Sequence, residues 1–189
     1  GNTVFNGLQT YLTTNGLNLV TSSIGAITIN GAITMVSNAT LNFVHDGALN
    51  INASITNGNF TENPVGPNSI VNIGDTASVS IYSDGGITFK CPVFLKTNVS
   101  LEAANDSGIT FESTLDGPGS LSVNCTGSLV FTGKVGSSTP MGSIDTRLVG
   151  LLSFKTSDPL TMTFSNTLNV GSIIAMIQGD VSMKGDQVY

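Results

Sequence analysis

The sequence predicts an all-β chain wound into a right-handed parallel β-helix, a β-solenoid of about 8–9 turns of 20–22 residues, forming one domain over 1–189. Three observations lead there. The composition is rich in Val, Ile, Thr, Ser, Asn and Gly, with 22 glycines, no Trp and only 10% charged residues, which favours short strands joined by turns. Apolar and polar residues alternate in brief bursts, the pattern of a strand with one buried face. The bursts recur at a nearly fixed interval, so stacked turns would bring like residues together.

In chain order the bursts are NGLNLVT, GAITING, ATLNFV, GALNINA, ASVSIYS, GGITFKC, NVSLEAA, SGITFES, GSLSVNC and GSLVFTG, each bounded by Gly, Asn, Asp or Ser. DGGITFK (84–90) and DSGITFE (106–112) match at Asp84/Asp106, Gly86/Gly108, Ile87/Ile109, Thr88/Thr110 and Phe89/Phe111, a spacing of 22. Val79, Val99 and Leu121 follow at 20 and 22, Ile109 and Leu129 at 20, and Ile27/Leu49 and Ile33/Ile55 at 22. One turn of this length cannot bury its own apolar face, whereas stacked turns set equivalent residues about 4.8 Å apart. Parallel crossovers favour a right-handed coil.

This register predicts an inward aromatic column of Phe89, Phe111 and Phe131, continued below by Ile29 and Ile51. Thr28, Asn50, Thr88 and Thr110 would point outward from the same strand, and Ser80, Ser100 and Ser122 would form a second outward column. The segment NGNFTENPVGPN (57–68), with Pro64 and Pro67, reads as a protruding loop, and the pattern loosens after about residue 134.

The net charge is −6, with bases scattered singly at Lys90, Lys96, Lys134, Arg147, Lys155 and Lys184, so no patch is evident that would neutralise nucleic-acid phosphates. The apolar run VGSIIAMI (170–177) is far short of the roughly 20 residues of a membrane-spanning helix.

Asp46, Asp84 and Asp106 each lie three residues before the first apolar residue of a strand. Stacking would bring Asp84 and Asp106 to about 5 Å, near the carboxylate spacing of retaining glycosidases. The simpler reading is that each aspartate caps its own turn. His45, beside Asp46, reads as a turn residue rather than a general base. Cys91 and Cys125 continue the inward phase two residues beyond Phe89 and Val123 and read as buried thiols acting as small apolar fillers, a disulfide between them being the less favoured alternative because they fall on different strands of the turn. No Cys-x-x-Cys pair or histidine cluster suggests a metal, and no catalytic, cofactor or metal site is assigned. Asn-x-Ser/Thr sequons at Asn38, Asn52, Asn59, Asn98, Asn105 and Asn124 match what this composition produces by chance.

The segment GPGSLSVNCTGSLVFTGKVGSSTPMGSIDT (117–146) resembles the repeats of filamentous-haemagglutinin-type and autotransporter-type bacterial surface proteins, through Leu129, Phe131, Gly133, Val135, Gly136, Pro140, Met141, Ser143 and Ile144. The resemblance implies a secreted or cell-surface filament, stalk or adhesin module without catalytic activity or cofactor, its partners being like units and surface glycans. The alternative is a polysaccharide-binding or polysaccharide-degrading β-helix. GNTVF at 1–5 and GDQVY at 185–189 share Gly, Val and an aromatic, which suggests a seam where one unit stacks head to tail on the next.

Overall fold

The computed structural model describes residues 1–11, 17–20, 25–36, 39–155, 167–169, 174–178 and 186–188. Every strand pairing among them is parallel, and none of their segments is a helix long and apolar enough to cross a membrane. Asn38, Lys184, Gly185 and Tyr189 lie outside the described residues.

The alternating bursts form a β-solenoid with three strands to a turn. The first turn holds β1 (Thr3–Phe5), β2 (Gln9–Tyr11) and β3 (Leu17–Val20), and the second β4 (Ile27–Ile29), β5 (Ile33–Met35) and β6 (Thr40–His45). The third comprises β7 (Ala48–Ile51), β8 (Ile55–Asn57) and β9 (Asn59–Pro64), and the fourth β10 (Ile70–Ile73), β11 (Val79–Ser83) and β12 (Ile87–Phe89). The fifth is β13 (Val93–Leu95), β14 (Val99–Ala103) and β15 (Ile109–Phe111). In the sixth, β16 (Leu115–Asp116) precedes β17 (Leu121–Phe131), which covers two faces without a break. Beyond it lie β18 (Ile144–Lys155), β19 (Thr167–Asn169), β20 (Ile174–Gln178) and β21 (Asp186–Val188).

The first face is the ladder β1-β4-β7-β10-β13-β16. The second runs from β2 through β5, β8, β11 and β14 to the start of β17, and the third from β3 through β6, β9, β12 and β15 to its end. Both continue across β18, onto β19 and β21 on the second face and β20 on the third.

Among the described residues about six turns are complete, against the 8–9 expected: the first-face ladder ends there at β16, while the second and third faces run on through β18. The next segment, 132–143, contains Gly133, Gly136, Pro140 and Gly142, and meets the ladder only at a Leu115–Val135 bridge. The buried Asp116 carboxylate anchors it by accepting the Ser138 and Thr139 N–H groups at 2.8 and 3.3 Å. Gly117 makes the corner possible: its φ is +119°, and a Cβ there would lie 2.3 Å from the Leu95 carbonyl oxygen.

Inside, each face contributes columns of buried side chains. Ile27, Leu49, Val71, Val93 and Leu115 stack on the first face, as do Ile29, Ile51, Ile73 and Leu95. Ile29 and Ile51 therefore belong to a different face from the phenylalanines, against the expected single column. The third face holds Phe43, Phe60, Phe89, Phe111, Phe131 and Phe154, all buried, with successive ring centroids 5.2–5.7 Å apart. The outward residues divide likewise, with Thr28 and Asn50 on the first face and Thr88 and Thr110 on the third. Both sets have the same parity within a three-residue strand, and parity alone does not separate faces. Ser80, Ser100 and Ser122 do form one outward column, in register on the second face.

The segment expected to protrude at 57–68 instead supplies β9, a full member of the third-face ladder. The additional length of this part of the coil falls in the connectors 65–69 and 74–78. The two matching pentapeptides also occupy different phases, since β1 lies on the first face and β21 on the second.

Removing one ring from the aromatic column tests this core. Phe111 is stacked on both Phe89 and Phe131, so Phe111→Ala is expected to cost about 3–5 kcal/mol in urea unfolding, through lost burial and the cavity left behind. A change within ~0.5 kcal/mol, the range of surface substitutions, would contradict the packing described.

Candidate functional site

The alternation that makes Leu41 and Phe43 inward on β6 also makes His45 inward. On β9 it selects Phe60 and then Glu62. His45 and Glu62 are both 0% exposed. Glu62 pairs in register with Phe43, and its neighbour Thr61 pairs with Thr88, so the carboxylate occupies the rung between Phe43 and Phe89 where another phenylalanine would stack. The aromatic column responds to this substitution. Phe60, two residues earlier, bridges diagonally to Phe43 and Phe89 with ring planes tilted by 56° and 55°, whereas the later pairs lie within 20° of parallel.

A carboxylate in this core requires compensation, since burying an isolated ion costs several kcal/mol. Glu62 Oε1 lies 2.6 Å from His45 Nε2, and Oε2 accepts the Lys90 N–H at 2.8 Å and the Cys91 N–H at 3.2 Å. His45 Nδ1 lies 2.7 Å from the Gly47 carbonyl oxygen, which can only accept. Nδ1 therefore donates there, and the two backbone N–H groups on Oε2 favour the ionised form of Glu62. Burial pushes the Glu62 carboxyl upward, but the His45 bond, the Lys90 N–H and the His45 charge outweigh it and hold the group below its ordinary value of 4.5.

Cys91, one strand above, completes a group of three: the ligand atoms of His45, Glu62 and Cys91 all lie within 4.8 Å of one another. The residues are those of a cysteine-histidine-acid catalytic set, but Glu62 bonds both to His45 and to the Cys91 backbone, so the acid takes the middle place instead of the base. Burial, and then the adjacent Glu62 charge, push the Cys91 thiol far above its usual range, which suppresses the thiolate needed for nucleophilic attack. Burial likewise raises the Cys125 thiol to about 11. Both cysteines are buried, as their inward phase predicts, and both are free.

His45 is thus a core residue rather than the expected turn residue, and it has two partners that sequence spacing alone does not reveal. The available signal was the phase: LNFVH and NFTE each carry a polar residue at an inward position two beyond a phenylalanine. Asp84 and Asp106 lie at the same corner of successive turns, and each has a hydroxyl partner of its own. Ser83 pairs with Ala103 and Ile87 with Ile109, so the upper turn has two more residues at this corner, and Asn105 and Asp106 take positive φ values of 53° and 58°. Asp84 accepts the Tyr82 hydroxyl at 2.9 Å, and Asp106 accepts the Thr126 hydroxyl at 2.9 Å. Asp46 lies beneath Gly66, with Oδ1 buried and unpartnered; a Cβ on Gly66 would fall 1.3 Å from that oxygen.

On the outside, the second face carries a groove of about 430 Å³ running along the stack. One side is lined by Ser78, Asn98, Ser120 and Ser143 and the other by Ser80, Ser100 and Ser122. Compared with known protein families, curated proteins and solved structures, the chain matches none.

Two substitutions test the buried pair. Glu62→Ala leaves the His45 ring without its acceptor and should cost about 3–5 kcal/mol, whereas replacing both residues together by Leu should be neutral or stabilising by about 1–4 kcal/mol. Because the folded-state value of Glu62 is lowered, its favourable contribution is complete above the unfolded-state value and is lost as pH falls through the folded one. Urea titrations below pH 4.5 should therefore show the wild type losing more stability than the double variant. Parallel pH profiles would contradict an ionised, stabilised Glu62.

Proposed function

We propose that the chain is a non-catalytic structural and adhesive module of a secreted or cell-surface fibre, stalk or filament, in which units stack end to end on like units. The observation that carries this reading is the use of the outward asparagines. Asn52 donates to Asn30, and Asn30 donates to Asn6, both at 2.9 Å. Asn72 donates to Asn50 at 2.9 Å, Asn50 to Thr28 at 3.1 Å, and Asn63 to Asn42. These amides spend their hydrogen bonds along the stacking axis, reinforcing the backbone ladder with side-chain ladders. Six turns at about 4.8 Å each make a rod segment of about 29 Å.

End-to-end growth follows the same geometry. Phe5 and Tyr11 of the first turn pack inward against the core. A like turn placed there would continue every column. The similarity of 117–146 to filamentous-haemagglutinin-type and autotransporter-type repeats supports an extracellular setting of this kind.

The serine groove favours a second reading, in which the second face binds a linear glycan. Its hydroxyls recur at the turn spacing of about 4.8 Å, comparable to the length of one sugar residue. Binding of soluble polysaccharides by the wild type, lost in a Ser100→Leu and Ser122→Leu variant, would establish it.

The fibre reading is tested at β1. Thr3 N–H donates to Ala26 O and Phe5 O accepts Asn30 N–H, so the Val4 N–H between them faces the open edge. Val4→Pro removes that donor without touching the β1–β4 ladder. The wild type is expected to form end-to-end rods in electron micrographs and to sediment as a concentration-dependent series, while Val4→Pro stays monomeric with an unchanged melting temperature. A wild type that remains monomeric at millimolar concentration would contradict self-stacking.

A further inference from the structure

We propose that His45, Glu62 and Cys91 form a buried transition-metal site that takes one zinc ion. The three side chains supply the nitrogen, oxygen and sulfur donors that zinc accepts, from three successive turns of the coil, with donor atoms within 4.8 Å of one another. Zinc bonds of about 2.0–2.3 Å place neighbouring donors of a tetrahedron about 3.5 Å apart. The His45–Glu62 edge, at 2.6 Å, therefore has to open by roughly 1 Å and the widest edge, at most 4.8 Å, to close by roughly 1 Å.

The surroundings of the donors are those of a supported metal site. His45 Nδ1 donates to the Gly47 carbonyl oxygen at 2.7 Å, which fixes the ring with Nε2 turned toward the cluster, as in metal-ligating histidines whose second nitrogen is held by an acceptor. Ser69 Oγ, at 3.1 Å from the His45 carbonyl oxygen, braces the same corner. Glu62 is held from behind by the Lys90 and Cys91 N–H groups on Oε2, which leaves Oε1 on the cluster side. Two of the three ligands thus already have outer partners.

With zinc bound, the site would hold a neutral imidazole, a carboxylate, a thiolate and a dication, so the metal leaves no net charge in the core; the Cys91 thiol proton leaves to solvent. Cys125 provides the contrast. It is equally buried, but its partners in the ladder are Ala103 and Val149.

The test is metal content and spectroscopy of the full chain, loaded with zinc or cobalt during expression or refolding and then passed through a desalting column. The wild type and Cys125→Ala are expected to retain one zinc per chain and to show a thiolate-to-cobalt charge-transfer band in the near ultraviolet. Cys91→Ala should lack the band and bind zinc more than about tenfold more weakly. Calorimetry in buffers of different ionisation enthalpy should report proton release on zinc binding. A wild type that retains no zinc and shows no cobalt band overturns the proposal, whether or not Cys91→Ala folds. Retention of the band in Cys91→Ala overturns it equally.

Discussion

Everything in this molecule depends on the in-register stacking of parallel strands. Each turn can offer only one side chain per face at a given rung, and the residue above and below it is its counterpart in the neighbouring turns. Packing is therefore a property of columns rather than of individual residues. Columns of Ile, Leu and Val on the first two faces and of Phe on the third fill the interior, and the outward residues form columns of their own. Side chains that are modest hydrogen-bond formers singly, such as Asn30 and Asn50, gain axial partners because the backbone delivers an identical or similar group one rung away.

Glu62 is the clearest exception to that regularity, and its environment shows how such an exception is accommodated. The ring stack does not stop at the acidic rung. Phe60 crosses diagonally to keep contact with Phe43 and Phe89, and the two tilted contacts are confined to that rung. Polar compensation comes from two turns: His45 from the second, and the Lys90 and Cys91 N–H groups from the corner that follows β12. A buried ion pair of this kind contributes little net stability compared with an apolar pair of similar size. It does confer positional specificity, because a slip of β9 by one residue would turn Glu62 outward and its neighbours Thr61 and Asn63 inward.

Much of the fold was legible in the sequence because period-two alternation and a 22-residue recurrence are direct consequences of this stacking. The pairings Ile27–Leu49, Ile33–Ile55, Val79–Val99–Leu121 and Phe89–Phe111 were all evident from spacing. What spacing could not reveal was which of three faces a short burst occupies, since all faces share one parity rule; hence the misplacement of Ile29 and Ile51 beneath the phenylalanines. β9 was obscured by its composition, because an inward Glu62 and a terminal Pro64 imitate a loop. The buried cluster was invisible for a related reason. Residues 45, 62 and 91 are separated by 17 and 29 positions, unlike the regular 22: β8 runs almost directly into β9 and Glu62 pairs with Phe43, which shortens the first interval, and the connectors at 65–69 and 74–78 lengthen the second.

Direct cysteine cross-linking of outward positions measures the register on which all of this rests. Thr88 and Thr110 face each other on β12 and β15, while Glu112 lies two residues further along. Cα atoms more than about 7 Å apart are not bridged by a disulfide without backbone movement. Under mild oxidation, a Thr88→Cys and Thr110→Cys variant should form its bridge rapidly and completely, and a Thr88→Cys and Glu112→Cys variant should remain reduced. Preferential bridging of the second pair would contradict the stacked register at the centre of the account.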